Sequence, residues 1–200
     1  MARTKAFDVD QVLAKARDLF WERGYTATSI GDLEKALGIS RSSLYQTFGG
    51  KRQLYDRTLS AYQDENLARL QALLVASDRP LRATLVEMFT FAATRIDSHC
   101  TSTARGCYMV NATTEMANSC SDALNILSGN REKFVAILSD ALALARVRGE
   151  LPESVEMGEL ANYLFVVYNG LQVVVQTSID RKDLTTAVLR AVDSLPWVEG

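Results

Sequence analysis

Apolar residues recur along this chain at intervals of three and four, and alternating runs are scarce, so the pattern predicts helices throughout and no sheet. Val9, Val12, Leu13, Ala16, Leu19 and Phe20 share one face of a first helix, Asp8 to Arg23, which Gly24 ends. Thr28 or Ser29 opens a second, with Ile30, Leu33 and Leu37 on one side and Asp32 placed as the acid of a capping box. Gly38 stops it, Ile39 fills the corner, and Ser40 starts a very short third helix whose Leu44 and Phe48 look inward. After Gly49 and Gly50 a long helix runs from Lys51 to Ala76. Its inward residues are Leu54, Tyr55, Thr58, Leu59 and Tyr62, then Leu70, Leu73 and Leu74, so it is expected to touch both parts of the molecule.

Ser77 to Pro80 breaks the chain, and Leu81, Leu85, Met88, Phe89 and Ala92 mark a helix to Ile96. A loop is expected over Asp97 to Arg105 and a helix over Gly106 to Asn118. Ser119 to Asp122 then open a helix that continues to Arg146. Arg148 to Pro152 is a stop, Ser154 caps an uncharged helix over Leu160 to Ile179, and Asp183 caps a last one that Pro196 closes. The expectation is an all-α chain of about nine helices.

Two brief helices joined by a glycine-containing turn form a helix-turn-helix, whose second helix enters the major groove of DNA. The outward residues of that helix, Arg41, Ser42, Ser43, Tyr45, Gln46 and Thr47, are all able to form hydrogen bonds. Arg41 suits guanine, Gln46 suits adenine, and Ser42 serves several bases. A net charge of −2 argues against nucleic acid until it is divided. Residues 1–60 hold ten Lys or Arg against seven Asp or Glu, and the remainder twelve against seventeen. The end with the motif is basic, and the acidic remainder stays off the phosphates. Arg3 and Lys5, in a polar leading arm, are either further phosphate contacts or solvated charges.

With 200 residues and 48% hydrophobic composition, the chain can bury a substantial core. MARTKAFDVD has no apolar segment of the kind an export signal needs, and three cysteines are an odd number for a disulfide framework. Both point to a cytoplasmic protein with reduced thiols. Leu160 to Ile179 is long enough to span a bilayer, but Asn162, Asn169, Gln172 and Gln176 favour burial in protein. His99 beside Cys100 lacks the paired spacing of a metal site, and no cofactor is expected. The chain also lacks the parts of an enzyme: it has no glycine-rich phosphate loop, no nucleophile with a base, and one histidine.

The block from Val12 to Tyr55 resembles the DNA-binding domain of the tetracycline-repressor (TetR) family. LFWERGY before the motif, TSIGDLEKALGIS across it and SLYQTFGGKRQL after it carry the likeness. It implies a DNA-binding domain over residues 1–50 and a helical effector-binding and dimerisation domain over 51–200. By matching position, Ser29, Tyr45, Thr47 and Lys51 resemble phosphate contacts. Gly31 departs from the pattern, since many relatives carry a basic or polar residue there, and Arg41, Ser42 and Gln46 are left a larger share of base reading.

One such head makes too few contacts for a unique site, so a homodimer on a palindromic operator is expected. Leu160 to Ile179, apolar around most of its circumference, would pair with Leu184, Val188, Ala191 and Val192 and their symmetry mates. Tyr168, Gly170, Leu171 and Val174 lie on that helix, and Tyr168 to Leu171 resemble a small-residue kernel common in the family. The family also implies a small-molecule effector. Met88, Phe89, Phe91, Met109, Met116, Phe134, Tyr163 and Phe165 could line a pocket, or simply form core. RGCYMVNATTEM, Arg105 to Met116, resembles a Gly-Cys signature in a subset of these regulators, some of which respond to electrophiles or oxidants. Cys107 is therefore a sensor candidate, with Cys100 and Cys120 as resolving partners, or else a buried small hydrophobe.

Overall fold

The computed structural model describes residues 7–94, 105–116, 121–177 and 179–198. They form nine helices and no strand: α1 Val9–Arg23, α2 Ile30–Leu37, α3 Arg41–Phe48, α4 Lys51–Leu74, α5 Leu81–Thr94, α6 Tyr108–Met116, α7 Ser121–Val147, α8 Met157–Val174 and α9 Arg181–Asp193. The fold is all-α, as the periodicity predicts. Among the described residues no helix is long and apolar enough to cross a membrane. Arg3, Lys5, His99, Cys100 and Cys120 lie outside the described residues.

Two buried clusters divide the molecule. The head cluster joins Val12, Ala16 and Phe20 of α1, Leu33 and Leu37 of α2, and Leu44 and Phe48 of α3 to the first half of α4. The body cluster begins at Leu67 of α4 and takes in α5, the second half of α7, α8 and α9. Helix α4 thus serves both, its allegiance changing between Tyr62 and Leu67. The head cluster also includes Cys107, just before α6, and Tyr108, Met109, Val110, Ala112 and Met116 of α6, far along the chain. These residues close the open side of the three-helix head.

Several boundaries differ from expectation for local reasons. Cys107 ends the extended approach to α6, and its carbonyl takes the Asn111 amide at 3.0 Å. Gly106, at φ +65°, lies outside that helix. Helix α8 starts at Met157 after Glu156, with no side-chain cap, so Ser154 does not open it. It ends at Val174, five residues short of Ile179. There the amide of Thr177 bonds to the Val174 carbonyl and its hydroxyl bonds to the same oxygen, tightening the chain into a turn. Asp180, not Asp183, caps α9, accepting the Lys182 amide at 2.7 Å.

The apolar stripe of α9 faces inward. Leu184, Val188 and Val192 are buried in the body core, where α9 packs on α5, and Ala191 is half-buried. Each buried aliphatic side chain contributes about 1.5–3 kcal/mol, so the chain spends this stripe on itself rather than on a partner. Leu171 of α8 is likewise buried in the core. Tyr163, Val166, Gly170, Val173 and Val174 of α8 and Leu189 of α9 are among the residues that point outward.

A run of hydrogen bonds links the end of α8 to α1 through α6. Gln176 Nε2 donates to the Gln172 carbonyl and to Asn111 Oδ1, at 2.8 and 3.1 Å. Asn111 Nδ2 donates to the Arg105 carbonyl at 3.0 Å, and Trp21 Nε1 of α1 donates to that same carbonyl at 3.2 Å. Gly106 must lie against this run. A Cβ there would collide with the Gln172 carbonyl and Gln176 Nε2, on a backbone with positive φ. Gly106→Ala should therefore destabilise the fold by about 2–4 kcal/mol, from combined strain and overpacking, as read by urea denaturation.

Candidate nucleic-acid interface and ligand cavities

Each short helix of the head is set by a carboxylate or hydroxyl at its start. Ser29 caps α2, its hydroxyl accepting the Asp32 amide at 3.1 Å while Asp32 Oδ2 accepts the Ser29 amide at 2.9 Å. The Ser29 hydroxyl and amide hold the Asp32 carboxyl below the usual carboxylate range. Ser40 caps α3 by accepting the Ser43 amide at 3.2 Å, and its hydroxyl also bonds to that of Ser43 at 3.0 Å. Glu34 reaches across from α2 and accepts the Arg41 amide at 2.6 Å, fixing the start of α3 against its neighbour. Gly38 and Gly49 supply the left-handed turns that end the two helices.

The result is a helix with two unlike faces. Leu44 and Phe48 are buried, whereas Arg41, Ser42, Tyr45 and Gln46 are exposed and adjacent on the opposite side. The Arg41 guanidinium lies 5.9 Å from the centre of the Tyr45 ring. Ser29 and Ser43 have their hydroxyls engaged in the caps, and Thr47 is half-buried, so these three stand at the margin of the face. Lys51 Nζ rests 4.2 Å above the Tyr25 ring. Burial lowers its pKa, against the opposing pull of Glu115. Helix α4 follows Gly50, which provides no side-chain cap. The Gly-Gly pair was the sequence signal for that feature.

Glu115 of α6 is a residue that sequence reasoning missed. Its carboxylate accepts the amides of Tyr25 and Thr26 at 2.9 and 2.7 Å, holding the α1–α2 turn from outside the head. Around it Phe20, Trp21, Tyr25, Tyr55, Tyr62 and Tyr108 stack edge-on and tilted, with centroids 4.9–6.3 Å apart. Burial raises the hydroxyl pKa of both Tyr55 and Tyr108. The Tyr108 hydroxyl is hydrogen-bonded to Thr58 at 2.9 Å.

The expected pocket residues are divided by the fold. Met88 and Phe91 line a cavity of about 260 Å³ among α4, α5 and α8. Cys107, Met109, Phe134 and Phe165 line a second, of about 400 Å³, among α4, α6, α7 and α8. Asn66 and Tyr168 border both. Phe89 and Met116 line neither and are buried core, while Tyr163 is on the surface, its hydroxyl bonded to Ser194. Helical spacing marked these three as inward or aromatic but could not tell core from cavity wall. Cys107 is a buried thiol, not half of a disulfide, and the Tyr62 hydroxyl donates to its Sγ at 3.7 Å.

An all-α body carrying a helix-turn-helix with a polar outer face defines the class of helix-turn-helix transcriptional regulators. The family model for bacterial regulatory proteins of the tetR family matches residues 12–58. The HTH-type transcriptional repressor ComR of Escherichia coli (strain K12) is 32% identical over 171 residues, 86% of this chain and 80% of that protein. The chain belongs to the TetR family, and so is a DNA-binding transcriptional regulator rather than an enzyme. Among solved structures, a cysteine-substituted form of the TetR family regulator CifR, bound to 26-base-pair operator DNA, is 28% identical. It superposes with a TM-score of 0.82 over 98% of this chain and all of that one. Reduced NemR of E. coli, 22% identical, shares the fold with a TM-score of 0.83 over 93% of this chain and 95% of its own.

A carboxylate accepting two amides makes charge-assisted bonds of about 1.5–3 kcal/mol each. With Glu115→Ala, the Tyr25 and Thr26 amides should exchange with solvent at least about tenfold faster, whereas that of Leu142 in the body core should not change, as measured by hydrogen-exchange NMR.

Proposed function

We propose that this protein is a homodimeric repressor that holds a palindromic operator with the outer face of α3 and leaves it when a small molecule enters the body. The observation that carries the reading is the contiguous polar face of Arg41, Ser42, Tyr45 and Gln46 opposite buried Leu44 and Phe48. Arg41, Ser42 and Gln46 read base edges. Tyr45, Lys51 and the uncapped start of α4 hold phosphates, with Ser29, Ser43 and Thr47 at the rim. Residues 1–50 are the DNA-binding part and 51–200 the effector-binding and dimerising part, with α4 the mechanical link between them. The similarity to the repressor ComR supports the sign of regulation, and that to CifR, solved on operator DNA, supports the partner. The reading sets the protein to work in the cytoplasm, beside the chromosome.

The dimer forms through the outward face of α8, Tyr163, Val166, Gly170, Val173 and Val174, with Leu189 of α9. Val166 is 67% exposed, which leaves an aliphatic patch that a second copy would cover. Half-sites one helical repeat apart, ~34–36 Å, fit one spacing of the two α3 helices and not another, so a small movement in the body releases the DNA.

The cavity behind Cys107 supports a second reading, in which a reactive electrophile enters and alkylates that thiol. Cys107 stands at the start of α6, whose far end carries Glu115, so a bulky adduct would displace the helix that steadies the head.

The first reading is tested with a duplex carrying the inverted repeat found upstream of the gene. Arg41→Ala and Gln46→Ala should each cost about 1–3 kcal/mol and relax choice at one base pair, whereas Lys51→Gln should weaken all duplexes alike and lower the salt slope by about one. Val166→Glu should sediment as a monomer and lose the operator. Unchanged binding in all four variants would refute the assignment. For the second, Cys107→Ser should bind operator normally but no longer release it on treatment with N-ethylmaleimide; equal release from both proteins would exclude it.

A further inference from the structure

The smaller cavity carries a chemical signature of its own. Its middle is apolar, walled by Leu70, Leu73, Met88 and Val175. At its inner end lies Gln172, only 6% exposed, and no described residue hydrogen-bonds its side-chain amide. That amide offers a donor and an acceptor to whatever enters the cavity. At its mouth stands Arg69, whose guanidinium lies 5.9 Å from the centre of the half-exposed Phe91 ring. The carboxylates that could neutralise Arg69 are committed elsewhere. Glu65, one turn back on α4, pairs with Arg17 at 3.1 Å, and Glu87, on the cavity wall, pairs with Arg79 at 2.6 Å. No described carboxylate pairs with Arg69.

Resting on the reading of the body as the effector-binding part, we infer that the effector of this cavity is an apolar carboxylate, aryl or short-chain acyl in body. Its hydrocarbon portion lies against the leucines and Met88, and its carboxylate is held at the mouth by Arg69. The guanidinium offers that carboxylate charge-assisted, two-pronged hydrogen bonds that a neutral amide cannot match. An amine would bring a second unpaired cation beside Arg69. The ion-paired Glu87 is no comparable counterweight, because Arg79 already cancels its charge. The Gln172 amide meets the inner end of the ligand and favours one with a polar atom or a π face there. Since Gln172 also presents its carbonyl to Gln176, the filled cavity adjoins the hydrogen-bonded run that reaches α1.

Three probes with one hydrocarbon body test the assignment: 2-naphthoate, 2-naphthamide and 2-naphthylmethylamine, titrated calorimetrically into the full chain. Naphthoate should bind at least tenfold more tightly than the amide, and the amine more weakly than either. Arg69→Gln, at an exposed position, should bring naphthoate to within threefold of the amide and leave the amide's own affinity unchanged. Gln172→Leu should weaken all three by a similar factor; if it melts early without ligand, the Arg69→Gln comparison stands alone. A preference for amide or amine, binding of none of the three, or a naphthoate preference that survives Arg69→Gln would overturn the inference. Operator binding by the unliganded protein, measured separately, keeps the two readings apart. A chain that binds naphthoate as expected but no duplex would refute the repressor reading and leave the cavity assignment intact.

Discussion

The head that presents the recognition helix depends on a nine-residue helix from the middle of the chain. Helix α6 supplies the lid of the head's apolar cluster, and its Glu115 grips two consecutive backbone amides of the turn that aims α2 and α3. A side chain gripping backbone fixes main-chain position, which a contact between two flexible side chains does not. The same helix is tied at its start to α8 by Asn111 and Gln176. Movement of α8 or of the cavity walls therefore reaches the head through few intervening atoms.

Helix α4 provides a second, stiffer route. Its first half is core for the head and its second half core for the body, along one unbroken helix of twenty-four residues. The two routes differ in kind. One is a chain of polar contacts that can break individually, and the other a rigid rod that moves as one. In the switch proposed above, the rod would carry the amplitude and the polar contacts would define its two positions.

What the sequence discloses is what is local. The Ser29–Asp32 box, the Ser40 cap, the glycine stops and the opposed faces of α3 were all legible because each is decided within four or five residues. Glu115 was not, because ninety residues separate it from Tyr25 and nothing near it in the chain marks it as an acceptor for a distant turn. Periodicity showed that Leu184, Val188 and Val192 would be buried but not against what, and the fold buries them in their own chain. Gln172 was legible as a polar residue in the uncharged run around α8, but its place depends on the cavity that α4 and α5 build beside it. Even the caps of α8 and α9 went astray where Glu156, Asp180 and Thr177 competed with equally plausible neighbours.

Because Tyr108, Met109 and Met116 complete the apolar interior around α1 to α3, the head is not a detachable module. A fragment cut after α4 would leave Phe20, Tyr55 and Tyr62 facing water where α6 had been, and one cut after α3 would lose the two tyrosines as well. Chimeras that graft this reader onto the body of a relative would have to carry α6 along, or redesign the graft's underside. Under the proposed reading, change in the head and change in the body are then coupled, since α6 packs into the head's interior and also walls the larger cavity of the body.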